Sequence, residues 1–281
     1  MKIQGKIVPL NLYILRNREL YNNVSSLLAY TSNHIEGNNL TLPQTQKIIR
    51  TSINDTLNNL IESGEIISYK DFYEAENHNK AFRYMLEQID FVEGLTLEFV
   101  ETLSMYINDR ILYPEVLGFR KTNVVITNTD VQTAPPHLIT KKLEDLFNKY
   151  NKEFEHEIDF VKLAQFHEEF EEIHPFLDGN GRTGRLLVNF YLIKNEYAPS
   201  YIQDIEKEEY YRCLSNKDYN SLAKMLKDNS NSINKTINQY LDKDNITNIE
   251  LLQHYFQTPK GMYGSVAPLY EKRIKYLEKK N

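Results

Sequence analysis

One cysteine, no tryptophan, ten glycines and nine prolines in 281 residues leave this chain few staples and few sharp corners. The lone Cys213 excludes an intrachain disulfide framework. With no metal-type Cys/His spacing, it also gives no sign of a zinc module and suits a reducing compartment. Scarce glycine and proline favour long, uninterrupted helices. Positive charge is in deficit, with 33 Lys and Arg against 39 Asp and Glu, a net charge of −6 and a pI near 5.7. That balance argues against a general nucleic-acid or anionic-membrane binder. No apolar run approaches membrane-spanning length, and the first residues lack the apolar core of a signal peptide, so a cytoplasmic protein without a membrane partner is expected. No repeat or low-complexity segment is evident. What is present is 41% hydrophobic residues, ordinary for a globular domain, and twenty tyrosines.

Apolar spacing predicts an all-α, mainly helical fold. One helix is expected from 15 to 35, with Leu20, Val24, Leu27, Leu28 and Ile35 on one face and Gly37 stopping it. Thr41-Leu42-Pro43-Gln44 reads as a capped helix start continuing to about 61. Further helices are expected over 69–89, 95–112, 138–154, 160–173, 206–214 and 222–241. The exception is 118–136, where the β-branched run Val124-Val125-Ile126-Thr127, an Asn/Asp turn and Pro135-Pro136 suggest a small β-hairpin that leans on the helices.

The chemistry concentrates in Ile173-His174-Pro175-Phe176-Leu177-Asp178-Gly179-Asn180-Gly181-Arg182-Thr183-Gly184-Arg185. Upstream, Phe166, Phe170 and Ile173 belong to a helix that Pro175 closes by disfavouring the α region at His174. Downstream, Leu186, Leu187, Phe190 and Ile193 predict a second amphipathic helix, so the glycines lie at its N-terminus. Unpaired N–H groups, the positive dipole end and glycine's lack of a side chain make such a terminus an anion hole. Arg182 and Arg185 add charge, Asp178 at the lip suits Mg²⁺ bridging phosphate oxygens, and His174 can take a proton near neutral pH. Singly, each of these is an ordinary helix-end histidine, a turn or a solvated arginine. A plain turn, however, needs no two arginines behind its glycines.

His174 to Arg185 resembles the active-site signature of the Fic family, His-x-Phe-x-Asp/Glu-Gly-Asn-Gly-Arg-x-x-Arg, at every specified position. The resemblance spans about 15–241. It implies a helical Fic bundle with a hairpin flap, and transfer of AMP from ATP to a side-chain hydroxyl of a target protein. By it His174 is the base, Asp178 holds Mg²⁺ or Mn²⁺, Gly179, Asn180, Gly181 and Arg182 cradle the α- and β-phosphates, and Arg185 reaches the γ-phosphate. Ser32-x-x-x-Glu36-Gly37 is similar to the inhibitory motif of some relatives, in which the glutamate pairs with the second signature arginine, here Arg185. It also implies that the flap docks the target through Val124, Val125, Ile126 and Thr127, and that Tyr211 and Asn216 contact adenosine across a shortened spacing.

The resulting division is a 1–92 N-terminal region with the inhibitory helix at about 17–36, a 93–241 catalytic core and a 242–281 tail. Within the tail a basic helix over 269–280 is expected, serving as a docking tail or a homo-oligomer contact. Self-modification and removal of AMP belong to the same implication. The rivals are transfer of another phosphate-bearing group and a non-catalytic nucleotide-sensing module. Gly181 argues against the kinase-like variant of the family, which carries a bulkier basic residue there.

Overall fold

The computed structural model describes residues 2–3, 6–7, 9–51, 67–125, 132–241 and 275. Ten helices carry the described fold. They are α1 (Leu10–Arg16), α2 (Arg18–Ile35), α3 (Leu42–Arg50), α4 (Tyr69–Gln88), α5 (Leu97–Asn108), α6 (Ile139–Glu153), α7 (Phe160–Ile173), α8 (Asn180–Lys194), α9 (Lys207–Asn216) and α10 (Tyr219–Leu241). The only strand pairing among the described residues is a two-residue antiparallel ladder, Lys2–Ile3 with Lys6–Ile7. None of the described helices is long and apolar enough to cross a membrane.

Local chemistry sets the helix ends. Asn17 caps α2 by accepting from Leu20 N, and Thr41 with Gln44 forms the expected reciprocal capping box ahead of α3. Gly37, at φ 93°, ends α2 in a conformation that a side chain would strain. Beyond Arg50 the expected continuation of α3 to 61 falls largely on residues outside those described. So does the terminal helix over 269–280, except for Lys275, which is helical.

The architecture is a bundle wrapped around α8. That helix packs against α7, α5, α4, α2 and α1, while α10 lies along α7. Leu186, Leu187, Phe190, Leu192 and Ile193 are fully buried. At roughly 1.5–3 kcal/mol for each large apolar side chain taken from water, α8 is the largest local contributor to the core. The surrounding rings interlock at its middle: Phe99 meets Phe190 at 5.2 Å, and Phe166 and Phe154 meet Tyr191 edge-on at 5.0 and 4.8 Å.

Three expectations need correction. The helix after the signature is not amphipathic, because Arg182, Thr183, Arg185 and Asn189 are buried along with the apolar face. A helix enclosed on all sides loses the polar stripe by which periodicity is recognised. The 95–112 helix ends at Asn108, and Arg110 turns the chain at φ 58°. Finally, α7 does stop before Pro175, but through a left-handed His174 at φ 50°, ψ 60° and not an extended one. The expected hairpin lies partly outside the described residues. Its described limbs carry no strand ladder and are joined by the Thr133 hydroxyl donating to Val124 O at 2.7 Å.

Candidate active site

The loop from α7 to α8 is built from its own side chains. Asn180 accepts from Phe176 N and donates to Phe176 O, both at 2.9 Å, so its buried amide closes the loop and only its backbone is left to face an anion. Gly179 sits at φ 78°, where a Cβ would lie 2.8 Å from the Ile107 side chain. Asn108, the last residue of α5, donates to Asp178 O at 3.0 Å and to Ser104 O at 3.1 Å, tying the loop to that helix. The Asp178 carboxylate accepts from Gly179 N at 2.6 Å and from Arg182 Nη2 at 3.2 Å, yet keeps 41% of its side chain exposed. Asp178 is thus a carboxylate beside a helix N-terminus that a divalent cation could use as a ligand.

Arg182 is buried and bridges two carboxylates, Asp178 of the loop and Glu74 of α4. Its Nη1 lies 3.1 Å from the Glu74 carboxylate of α4, a close ion contact with poor hydrogen-bond alignment. Glu74 is in turn held by Asn38 Nδ2 at 2.9 Å, just past the end of α2.

Three turns of chemistry converge on Arg185. Its Nε donates to Ser32 Oγ at 2.9 Å, and its Nη2 donates to Ser32 O at 2.8 Å and to Glu36 Oε1 at 2.7 Å. Its Nη1 reaches the buried Tyr210 hydroxyl at 3.4 Å. Burial works against the charge, but Glu36 and Tyr210 hold the guanidinium above its ordinary range. A methyl on Gly181 would overlap the Glu36 carboxylate, so that glycine leaves room for the clasp.

Residues 95–192 match the profile of the Fic/DOC family. The matched segment, which holds His174 to Arg185, is thus similar to a Fic/DOC domain. The chain is 28% identical over 220 residues to a protein adenylyltransferase Fic of Nematostella vectensis, covering 75% of this chain and 48% of that one. It is 29% identical over 224 residues to the protein of the same name in Drosophila willistoni, covering 75% and 41%. The chain thus spans less than half the length of these curated relatives. In fold it is similar to a variant of Fic-1 from C. elegans (TM-score 0.62, 22% identity, 83% of this chain and 67% of that one). It is also similar to a Fic domain containing signaling protein from Bacteroides thetaiotaomicron (TM-score 0.58, 24% identity, 98% and 92%).

Within this segment His174 is held at the mouth. Its Nδ1 lies 3.3 Å from Glu171 O, which can only accept, so Nδ1 carries the proton and Nε2 is the free base. Burial lowers its pKa, opposed by the bond to Glu171 and assisted by the Arg120 cation. Tyr211 and Asn216 both lie on α9. Tyr211 is 41% exposed and donates to Ile35 O at 3.1 Å, while Asn216 is exposed at the end of α9. Val125 is 81% exposed, Val124 accepts from Thr133, and Ile126 and Thr127 lie outside the described residues.

Sequence reasoning missed Asn108, Glu74, Arg120, Tyr210 and Glu171.

Glu171 lies against Gly184 and 4.0 Å from His167 Nδ1, and burial pushes its carboxyl up to about 8, with Arg185 pulling it down and Glu36 pushing it up. A folded-state pKa above the unfolded one means stability that is complete at low pH and lost as pH rises toward the folded value. Urea midpoints at pH 5, 6.5 and 8 are therefore expected to fall less steeply with pH for Glu171→Gln than for the wild type. Parallel profiles would mean that Glu171 is already ionised in the fold.

Proposed function

We propose that the chain is an autoinhibited protein adenylyltransferase that uses ATP to place AMP on a hydroxyl of a target protein. The observation that carries this reading is the meeting, at one helix N-terminus, of a free imidazole nitrogen, an open carboxylate and an arginine clasped by Glu36. Names of the curated relatives agree with it. On this reading residues 93–241 do the chemistry and 1–92 supply the restraint, with the target segment adding along 124–127.

The proposed steps follow from the side chains. The N–H groups of Gly179 to Arg182 and the dipole of α8 bind the phosphates, with Arg185 available to the γ-phosphate once Glu36 lets go. Asp178 would hold Mg²⁺, which when bound neutralises phosphate charge. His174 Nε2 takes the proton of the target hydroxyl as its oxygen forms a bond to the α-phosphorus. The bond to the β-phosphate oxygen breaks, and pyrophosphate leaves with the electron pair. The protein contributes position and preset charge more than covalent chemistry. Burial, which lowers the His174 pKa, favours its neutral, proton-accepting form.

With ATP labelled at the α or the γ position and a cell lysate, α-label on protein is the expected result. γ-label would mean phosphorylation, and no label would mean binding without transfer. His174→Ala is expected to lose about 10²–10⁴-fold in labelling rate while equilibrium ATP binding is kept, because the base acts on the nucleophile. Near-normal labelling by that variant would remove His174 from its role.

Autoinhibition rests on competition for one guanidinium. While Glu36 and Ser32 hold Arg185, the γ-phosphate lacks its partner and the α-phosphate lies off line. Glu36 is a third exposed, so the pair is only partly shielded, and each factor of ten in productive complex needs about 1.4 kcal/mol of preference. Glu36→Gly is expected to raise forward transfer about tenfold to several hundredfold. On the same reading Glu36 also orients a water for AMP removal. Forward transfer and hydrolysis of premodified target, measured separately, distinguish the two effects. A variant no faster than wild type in forward transfer would sink the autoinhibition reading.

A further inference from the structure

Arg120 is 3% exposed, and among the described residues no carboxylate pairs with it. A buried cation without a counter-charge is costly unless its donors are otherwise satisfied. Here they are satisfied by backbone carbonyls alone. Nε donates to His174 O at 2.7 Å, Nη2 to Ile173 O at 3.3 Å and to Ala134 O, and Nη1 to Thr122 O at 2.8 Å. The Arg120 backbone N–H donates to Pro175 O at 2.9 Å, and the neighbouring Phe119 ring stacks on Phe176 at 5.5 Å.

Two features of this fan have consequences for chemistry. The guanidinium covers the 173 and 174 carbonyls and the Arg120 backbone N–H covers 175, at the negative end of the α7 dipole, so the cation caps that helix. The middle carbonyl belongs to His174, a non-glycine residue in the left-handed region directly before a proline. That conformation persists only when its surroundings over-determine it. The same guanidinium also holds Thr122 and Ala134, one on each described limb of the 118–136 segment.

We propose that Arg120 is the positioning residue of the base: it fixes the left-handed turn that aims the His174 imidazole and ties that turn to both limbs of the flap. This rests on the adenylyltransferase reading for its rate measurements, and on geometry alone for its spectroscopic one. Only a planar fork can serve carbonyls in several directions. A lysine keeps the charge but is a point donor.

The test uses the full-length chain carrying Glu36→Gly, with Arg120→Met and Arg120→Lys each added with and without His174→Ala. Initial labelling rates from α-labelled ATP and equilibrium ATP binding are measured for all. Arg120→Met is expected to slow labelling by about ten- to a hundredfold, Arg120→Lys by less, with ATP affinity unchanged within about twofold. In the His174→Ala background neither substitution is expected to slow the residual rate further, since a residue that acts through His174 has nothing left to position. An equal loss with and without His174, or no loss at all, would overturn the proposal. Should Arg120→Met fail to fold, Arg120→Lys carries the same comparison. The His174 ring proton resonance, assigned by its disappearance in His174→Ala, is expected to shift or broaden in Arg120→Lys. An unchanged resonance would overturn the proposal as well. If the Glu36→Gly parent itself transfers no AMP, the adenylyltransferase reading fails, and the resonance still decides whether Arg120 positions the ring.

Discussion

Two guanidinium groups buried on one helix need partners, and the arrangement of the described N-terminal half can be understood from where those partners come from. Arg182 and Arg185 both lie on α8, the most enclosed helix of the described fold. Leaving either unpaired would cost several kcal/mol, because the loss is that of an isolated charge in a low-dielectric interior. Arg182 is met by Glu74 from α4 and by Asp178 from its own loop. Arg185 is met by Ser32 and Glu36 from α2. The N-terminal helices are therefore part of the charge balance of the catalytic helix.

The two arginines differ in how permanent their partners are. Glu74 is 4% exposed and further fixed by Asn38, so Arg182 is locked and serves to aim Asp178. Glu36 is a third exposed and sits on a helix end next to a glycine at φ 93°, where the chain can turn. The first pair is enclosed and the second partly open. On the proposed reading a nucleotide phosphate exchanges with Glu36, and the restraint and the substrate share one guanidinium.

Much of this was legible in the sequence where the signal is local. The caps at Asn17 and Thr41, the stop at Gly37 and the concentration of His174, Asp178 and glycines act over about four residues, and a linear reading catches them. Signals between distant segments were not legible. Nothing in the chain near Arg182 points to Glu74, nothing near His174 points to Arg120, and Asn108 reads as one more residue of a helix. Asn180 shows a subtler limit: its presence was legible, but its amide closes the loop onto Phe176 and leaves only its backbone for an anion. The burial of α8 on all sides erased the polar stripe that would have marked Arg182 and Arg185 as interior. Tyr210, beside the expected Tyr211, is the tyrosine that reaches Arg185, because one step along α9 turns the side chain from the exposed face into the core.

On the proposed reading Glu36 and the terminal phosphate of a nucleotide compete for Arg185. Phosphorus NMR of ATP with Mg²⁺, titrated with wild type and with Glu36→Gly, tests this without any target protein. The γ-phosphorus resonance is expected to move on binding to Glu36→Gly and to move much less on binding to the wild type, with the difference abolished when Arg185→Ala is added to both. Identical shifts at the α, β and γ positions in the two proteins would contradict the claim.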